Sequence, residues 1–287
     1  MVGRTELRNP VMAASGTFGF GLEYAAHGDL ATLGCFVTKS LSAAPWEGNP
    51  APRLVPLTQA ATMLNSVGLP NPGVKAWAAD VLPQLQARGV RVVASIWGHT
   101  PEEILDAARL MRAVEGPVAW ELNMSCPNLS TSDAMPSHNP DVAQEIVATI
   151  REMVDPAVGL WAKLSPHAER IVEVAARCQD AGIDSVTLTN TYPGAQFSLP
   201  ADTRPLGKGT GGVSGAALKP IVLPLVEKVR ADRPDLAIVA AGGVRSVADA
   251  QDYLRAGATA VQVGTANFFD PRITFQIARG VVAALRG

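Results

Sequence analysis

The sequence of 287 residues holds only three cysteines, three tyrosines and six lysines, and its charge nearly balances at a formal −2. Each shortage excludes something. Cys35, Cys126 and Cys178 are too few and too scattered for a disulfide framework or a paired metal site. His27, His99, His138 and His167 show no metal-ligand spacing, so no metal is expected. Without a basic block, nucleic acid is excluded as the main partner. No apolar run approaches the roughly 18 residues that span a bilayer. No charged segment leading into an apolar one opens the chain, and a cytoplasmic protein without a membrane span is expected. No linker or low-complexity stretch divides the sequence, which predicts a single domain over residues 1–287.

What the chain does have is a repeated unit, a short apolar run followed by an amphipathic segment. The runs are Val11–Ala14, Cys35–Thr38, Arg91–Ile96, Val118–Leu122, Val158–Leu164, Ser185–Thr189, Ala237–Ala241 and Ala260–Val263. Most are β-branched or small and near-continuous, the pattern of strands buried on both faces of a parallel sheet. Helical patterns lie between them, among others Pro101–Val114, Asp141–Val154, Ala168–Ala181, Ala217–Ala231 and Val247–Ala256. Thr100-Pro101-Glu102-Glu103 and Ser246 before Val247–Asp249 read as helix starts, and Gly182 and Gly257 as stops. Eight strand–helix pairs are the number that closes an α/β (β/α)8 TIM barrel of about 250 residues. Two stretches exceed the unit, Leu41–Pro72, rich in Pro and Asn, and Tyr192–Ser214, rich in Gly. Both read as long loops after strands, on the C-terminal face where barrel active sites lie, or simply as long loops.

The polar residues gather at strand ends. Lys39 closes Phe36-Val37-Thr38-Lys39 and Lys163 nearly closes its run. A lysine there either reaches solvent or points into the barrel mouth, where a fixed cation suits an anionic ligand or developing negative charge. Asn123 and Asn190 end strands, Asn128 follows five residues after Asn123, and Asn65 sits in the first long stretch. Each either caps a loop or offers an acceptor and two donors to a small heterocycle. Cys126, between Ser125 and Pro127 and outside any apolar run, is a candidate base or nucleophile, whereas Cys35 and Cys178 read as packing. Gly242-Gly243 and Gly264 follow strands seven and eight, the recurrent phosphate site of this fold. A phosphorylated substrate or flavin mononucleotide (FMN) would suit it.

Several segments together resemble the class 1 dihydroorotate dehydrogenases, essentially from Asn9 onward. They are Asn9-Pro10-Val11-Met12-Ala13-Ala14-Ser15-Gly16-Thr17-Phe18-Gly19-Phe20-Gly21, Met63-Leu64-Asn65-Ser66-Val67-Gly68-Leu69-Pro70, Glu121-Leu122-Asn123-Met124-Ser125-Cys126-Pro127-Asn128, Lys163-Leu164-Ser165-Pro166, Thr210-Gly211-Gly212-Val213-Ser214-Gly215 and Val263-Gly264-Thr265-Ala266-Asn267-Phe268. The element Asn123-x-Ser125-Cys126-Pro127-Asn128 is highly specific. Thr17-Phe18-Gly19-Phe20-Gly21 and Gly48-Asn49-Pro50-x-Pro52-Arg53 are similar to class 1B. The resemblance implies oxidation of dihydroorotate to orotate in pyrimidine (UMP) biosynthesis. Cys126 would take the C5 proton, and hydride would pass from C6 to N5 of FMN. Lys163 would stabilise the reduced flavin.

By the same resemblance, Ser15, Lys39, Ser40, Ser95, Asn123, Lys163, Thr189, Gly215, Gly242, Gly243, Gly264 and Thr265 would hold FMN. Lys39, Asn65, Val67, Gly68, Leu69, Asn123, Asn128, Asn190 and Thr191 would hold the substrate. A homodimer is implied, with a separate FAD and iron–sulfur electron-transfer subunit. The chain departs from the family pattern in a flap, Leu129–Pro140, that lacks glycine, in Ser95-Ile96-Trp97-Gly98, where an asparagine is usual, and in Tyr192-Pro193. Its N-terminal stretch is short for the β-structure that caps the bottom of such barrels. Two other functions fit part of this pattern. One is an FMN barrel acting on another dihydropyrimidine; the other is a flavin- or ligand-binding barrel without turnover.

Overall fold

The computed structural model describes residues 1–57, 61–125, 135–166, 169–197 and 203–286. The first strand, β1 (Val11–Ala13), is followed by β2 (Phe36–Val37), β3 (Leu54–Leu57) and β4 (Thr62–Asn65). Helices α1 (Gly73–Asp80) and α2 (Leu82–Ala87) then lead to β5 (Val92–Ile96), α3 (Pro101–Met111), β6 (Ala119–Asn123), α4 (Pro140–Arg151), β7 (Gly159–Leu164), α5 (Ile171–Asp180) and β8 (Ser185–Leu188). The rest is β9 (Tyr192–Gly194), β10 (Gly211–Gly215), α6 (Lys219–Asp232), β11 (Ala237–Ala241), α7 (Val247–Arg255), β12 (Ala260–Val263) and α8 (Ile273–Arg286).

Eight strands close a barrel in the order β1-β12-β11-β8-β7-β6-β5-β2, every pair parallel. These are the eight apolar runs, and nearly all their residues are buried on both faces. The helix starts behave as expected: Thr100 Oγ1 accepts from the Glu103 N–H at 3.2 Å and Ser246 Oγ from the Asp249 N–H at 3.1 Å. Such caps satisfy N–H groups that the helix itself leaves unpaired.

The pairing of strands with helices is less regular than expected. Among the described residues no α-helix joins β1 to β2; two single 3-10 turns, Leu22–Tyr24 and Leu30–Thr32, take its place. Two short helices, α1 and α2, share the connection into β5 instead. At the bottom of the barrel Val2 and Thr5 form an antiparallel bridge, and Val2 packs with Met12, Cys35, Val37, Val93, Ala119 and Trp161. This short turn serves there as the plug.

The two long stretches expected to be loops contain strands. They pair across 150 residues of chain into one antiparallel sheet, ordered β3-β4-β10-β9. Asn65 faces Gly212 in the β4–β10 ladder. Their strands escaped a reading by pattern because they are three to five residues long and carry Pro and Gly. Pro56 lies in β3 and Pro193 in β9, the two edges of the sheet, the positions where a missing N–H costs no ladder bond.

Candidate active site

Strand ends and the second sheet together enclose a cavity of about 1040 Å³ including the space open to solvent, at the upper end of small-molecule sites. Its wall has three parts. One is cationic. Lys163, 6% exposed, and Lys39 both line the cavity, and neither ammonium has a hydrogen-bond partner among the described residues. Burial holds the pKa of each below the ordinary lysine range. For Lys39 the neighbouring Arg53 adds to the shift and Glu23 opposes it.

Beneath Lys163 lies a counter-charge. Glu121 projects from the middle of β6 and is fully buried. Its Oε2 accepts from Thr187 Oγ1 at 2.8 Å and from Gln262 Nε2 at 3.0 Å, while Oε1 has no partner among the described residues. In the β6–β7 ladder Glu121 is level with Trp161, two residues below Lys163. Two residues along a strand is the repeat that returns a side chain to the same face. The carboxylate offsets part of the loss of charge that burial imposes on Lys163.

The second part consists of amides. Asn123 Nδ2 donates to Ser40 Oγ at 3.0 Å, and its Oδ1 accepts from Ser125 N–H at 3.4 Å and Oγ–H at 3.3 Å. Asn190 Nδ2 donates to Ser125 O and Ser125 Oγ, both at 3.1 Å, while its Oδ1 accepts from the Thr191 N–H at 2.8 Å. Two strand-end amides therefore clamp Ser125 from two sides. Asn65 is fixed by donating from Nδ2 to Gly212 O at 3.0 Å.

Glycine loops make the third part. Tyr253 Oη–H donates to Gly242 O at 2.6 Å, and Lys219 Nζ bridges Asp249 at 2.5 Å and Asp252 at 2.7 Å. These bonds tie the loop after β11 to α6 and α7. After β12, Asn267 Nδ2 donates to Val263 O at 2.9 Å and its Oδ1 accepts from Thr274 Oγ1–H at 2.5 Å. A Cβ added to Gly264 would come no nearer to protein than 3.6 Å, at Ala14, so it would take up cavity space that a ligand needs. A buried ammonium and backbone loops without side chains in one cavity suit an anionic ligand that carries a phosphate.

The family profile described as dihydroorotate dehydrogenase matches residues 1–285. The chain belongs to the dihydroorotate dehydrogenase family. It is 40% identical over 280 residues to a protein of Trichlorobacter lovleyi, covering 98% of this chain and 90% of that one. Relatives in Geotalea uraniireducens (40% over 277 residues, 96% and 89% covered) and Geobacter sulfurreducens (40% over 273 residues, 95% and 88%) are equally similar. All three are named dihydroorotate dehydrogenase B (NAD(+)), catalytic subunit.

Most of the residues expected from the family resemblance meet at this cavity. Ser15, Lys39, Asn123, Lys163, Thr189, Gly215, Gly242, Gly243, Gly264 and Thr265 line it, as do Asn65, Val67, Gly68, Leu69, Asn190 and Thr191. Ser40 and Ser95 do not reach the wall. They are fully buried behind it, with Ser40 Oγ 2.9 Å from Ser95 Oγ and 3.5 Å from Ser15 Oγ, a file of hydroxyls ending at Asn123. Cys126 and Asn128 lie outside the described residues, as does the first half of the expected flap, residues 129–134. Sequence reasoning missed Glu121 and Gln262. The available signal was a glutamate inside the apolar run Val118–Leu122, where an unpaired charge is too costly to be incidental.

Proposed function

We propose that this chain, as one domain over residues 1–287, oxidises dihydroorotate to orotate in pyrimidine biosynthesis, with FMN as cofactor and Cys126 as base. The observation that carries the reading is the joint arrival at one cavity of two unpaired lysines, three fixed asparagine amides and the glycine loops after β11 and β12. An asparagine amide presents both a donor and an acceptor, which matches the alternating N–H and C=O edge of a dihydropyrimidine ring. Bound FMN would supply the acceptor for the hydride that leaves C6.

The chain's own residues supply the rest. Lys163 holds a positive charge at the cavity floor, where electrons arriving on a ligand would need one. Asn123 and Asn190 fix Ser125, the residue before the proposed base Cys126. A thiol with a pKa of about 8.5 is a base whose strength lies near the working pH, and a nearby cation lowers it further. Gly242, Gly243, Gly264 and Thr265 would take the phosphate.

The relatives' names, with NAD(+) and the words catalytic subunit, support a separate electron-transfer subunit here; by the family resemblance it would carry FAD and an iron–sulfur cluster. The catalytic chain would form a homodimer and work in the cytoplasm. Among the described residues no helix is long and apolar enough to cross a membrane. Anaerobic addition of dihydroorotate to the FMN-loaded protein tests the whole reading. The yellow flavin band is expected to bleach within seconds and orotate to appear in equal amount; a band that stays yellow removes dihydroorotate as the substrate.

A further inference from the structure

Val67, Gly68 and Leu69 line the cavity in an unusual backbone conformation. Gly68 has φ +73° and Leu69 φ +57°, and a leucine in the left-handed region is disfavoured by about 1–2 kcal/mol. Neighbours must hold this turn in place. Each of its three carbonyls has its own donor: Val67 O takes the Asn49 N–H at 3.1 Å, Gly68 O the Trp46 Nε1–H at 2.8 Å, and Leu69 O the Asn71 Nδ2–H at 2.9 Å. A trans peptide points its N–H opposite its C=O. With the Val67 and Gly68 carbonyls drawn away toward Asn49 and Trp46, the N–H groups of Gly68 and Leu69 turn to the other side. Neither has an acceptor among the described residues.

Trp46 is itself held firmly although it is 38% exposed. Its backbone N–H and C=O pair with Asn71 at 2.9 and 2.8 Å. Its indole stands edge-on to the buried Trp97 (centroids 6.3 Å, 69°) and to His99 (4.7 Å, 76°), and these two meet each other at 4.7 Å and 62°. His99 Nδ1 lies 2.8 Å from Glu103 Oε2 in the first turn of α3. Three rings thus connect the turn to the end of β5 and the start of α3. Trp97, which departs from the family pattern, has its role here.

We infer that Trp46, braced by Trp97 and His99, is a positioning residue that holds the Gly68 and Leu69 peptide N–H groups toward the carboxylate of the substrate. The inference rests on the functional reading above, since it takes a ligand with a carboxylate. Without the Nε1–H, the Gly68–Leu69 peptide is free to rotate and present its carbonyl oxygen to the anion, which repels it. Trp46 touches neither cofactor site nor reacting atoms, so its loss acts on substrate binding and leaves the chemistry of bound substrate in place.

The test is Trp46→Phe, which keeps a ring and removes the donor, compared with wild type as FMN-loaded holoprotein. Orotate is titrated through its perturbation of the flavin spectrum, and turnover of dihydroorotate is measured alongside. Loss of one such bond is expected to raise the orotate Kd and the dihydroorotate KM together by roughly five- to tenfold, with kcat changed less than twofold. FMN affinity and Tm are expected to stay at wild-type values. Orotate binding within twofold of wild type would overturn the inference, as would parallel losses of FMN affinity and Tm, which indicate general damage. Wild-type holoprotein that ignores both orotate and dihydroorotate would remove the functional reading, and this inference with it. Trp97→Phe, which loosens the brace and keeps the donor, is expected to give a smaller rise in the same two constants.

Discussion

Lys163, which has no ion-pair partner among the described residues, and the buried Glu121 beneath it are the opposite charges on which the cavity's electrostatics turn. Burial lowers the lysine pKa and the carboxylate raises it, so Glu121→Gln, nearly the same shape, is expected to lower it further. The rate of flavin reduction against pH checks this: its alkaline limb should move to lower pH in the variant, and an unmoved limb would exclude Glu121 as the counter-charge. The stability sign follows. A lysine whose folded pKa lies below its unfolded value binds more protons when unfolded, in the window between the two. Its penalty is therefore full below the folded pKa and is relieved as pH rises through that window. Glu121→Gln should widen the window downward, visible as a Tm deficit against wild type that shrinks at alkaline pH. Cys126→Ala tests the other end of the reaction. FMN binding is expected to persist while flavin reduction at neutral pH falls by at least about a hundredfold, the usual worth of a positioned base; unchanged reduction kinetics would exclude Cys126 as the base.

At the scale of elements, the β3-β4-β10-β9 sheet connects chain segments that are distant in sequence to one wall of the site. Gly212 shows how tight that connection is. It pairs with Asn65 across the ladder, and a Cβ there would lie 1.9 Å from Thr191 Oγ1. Gly212→Ala must displace Thr191 or bend β10, at a cost of roughly 1–3 kcal/mol for overpacking. Weaker orotate binding with FMN affinity retained is the expected result if Asn65 and Thr191 hold the substrate as proposed; a loss confined to FMN would contradict that proposal. The barrel strands were legible in the sequence because burial on both faces leaves a continuous apolar signature. This sheet was not, because its strands are short, carry Pro and Gly, and find their partners only across the barrel mouth.

For the whole molecule, the site is assembled from most of the barrel strands, so ligand binding and folding are coupled. A cofactor present at a hundredfold over its Kd stabilises the folded state by about 2.7 kcal/mol. Removing FMN is accordingly expected to lower Tm by roughly 4–5 °C, and re-adding it should restore the value; a Tm indifferent to FMN would place the cofactor elsewhere. By itself the sequence determined the barrel, the strand-end lysines and asparagines, and the glycine loops, because these depend on local periodicity and on residue types with few alternative uses. Only the tertiary structure decided that Ser40 and Ser95 stand behind the wall, that Glu121 lies under Lys163, and that Trp46 reaches Gly68. Those relations depend on which side chains share a face across neighbouring strands and on how a loop of 20-odd residues folds back, and neither distance is encoded in spacing along the chain.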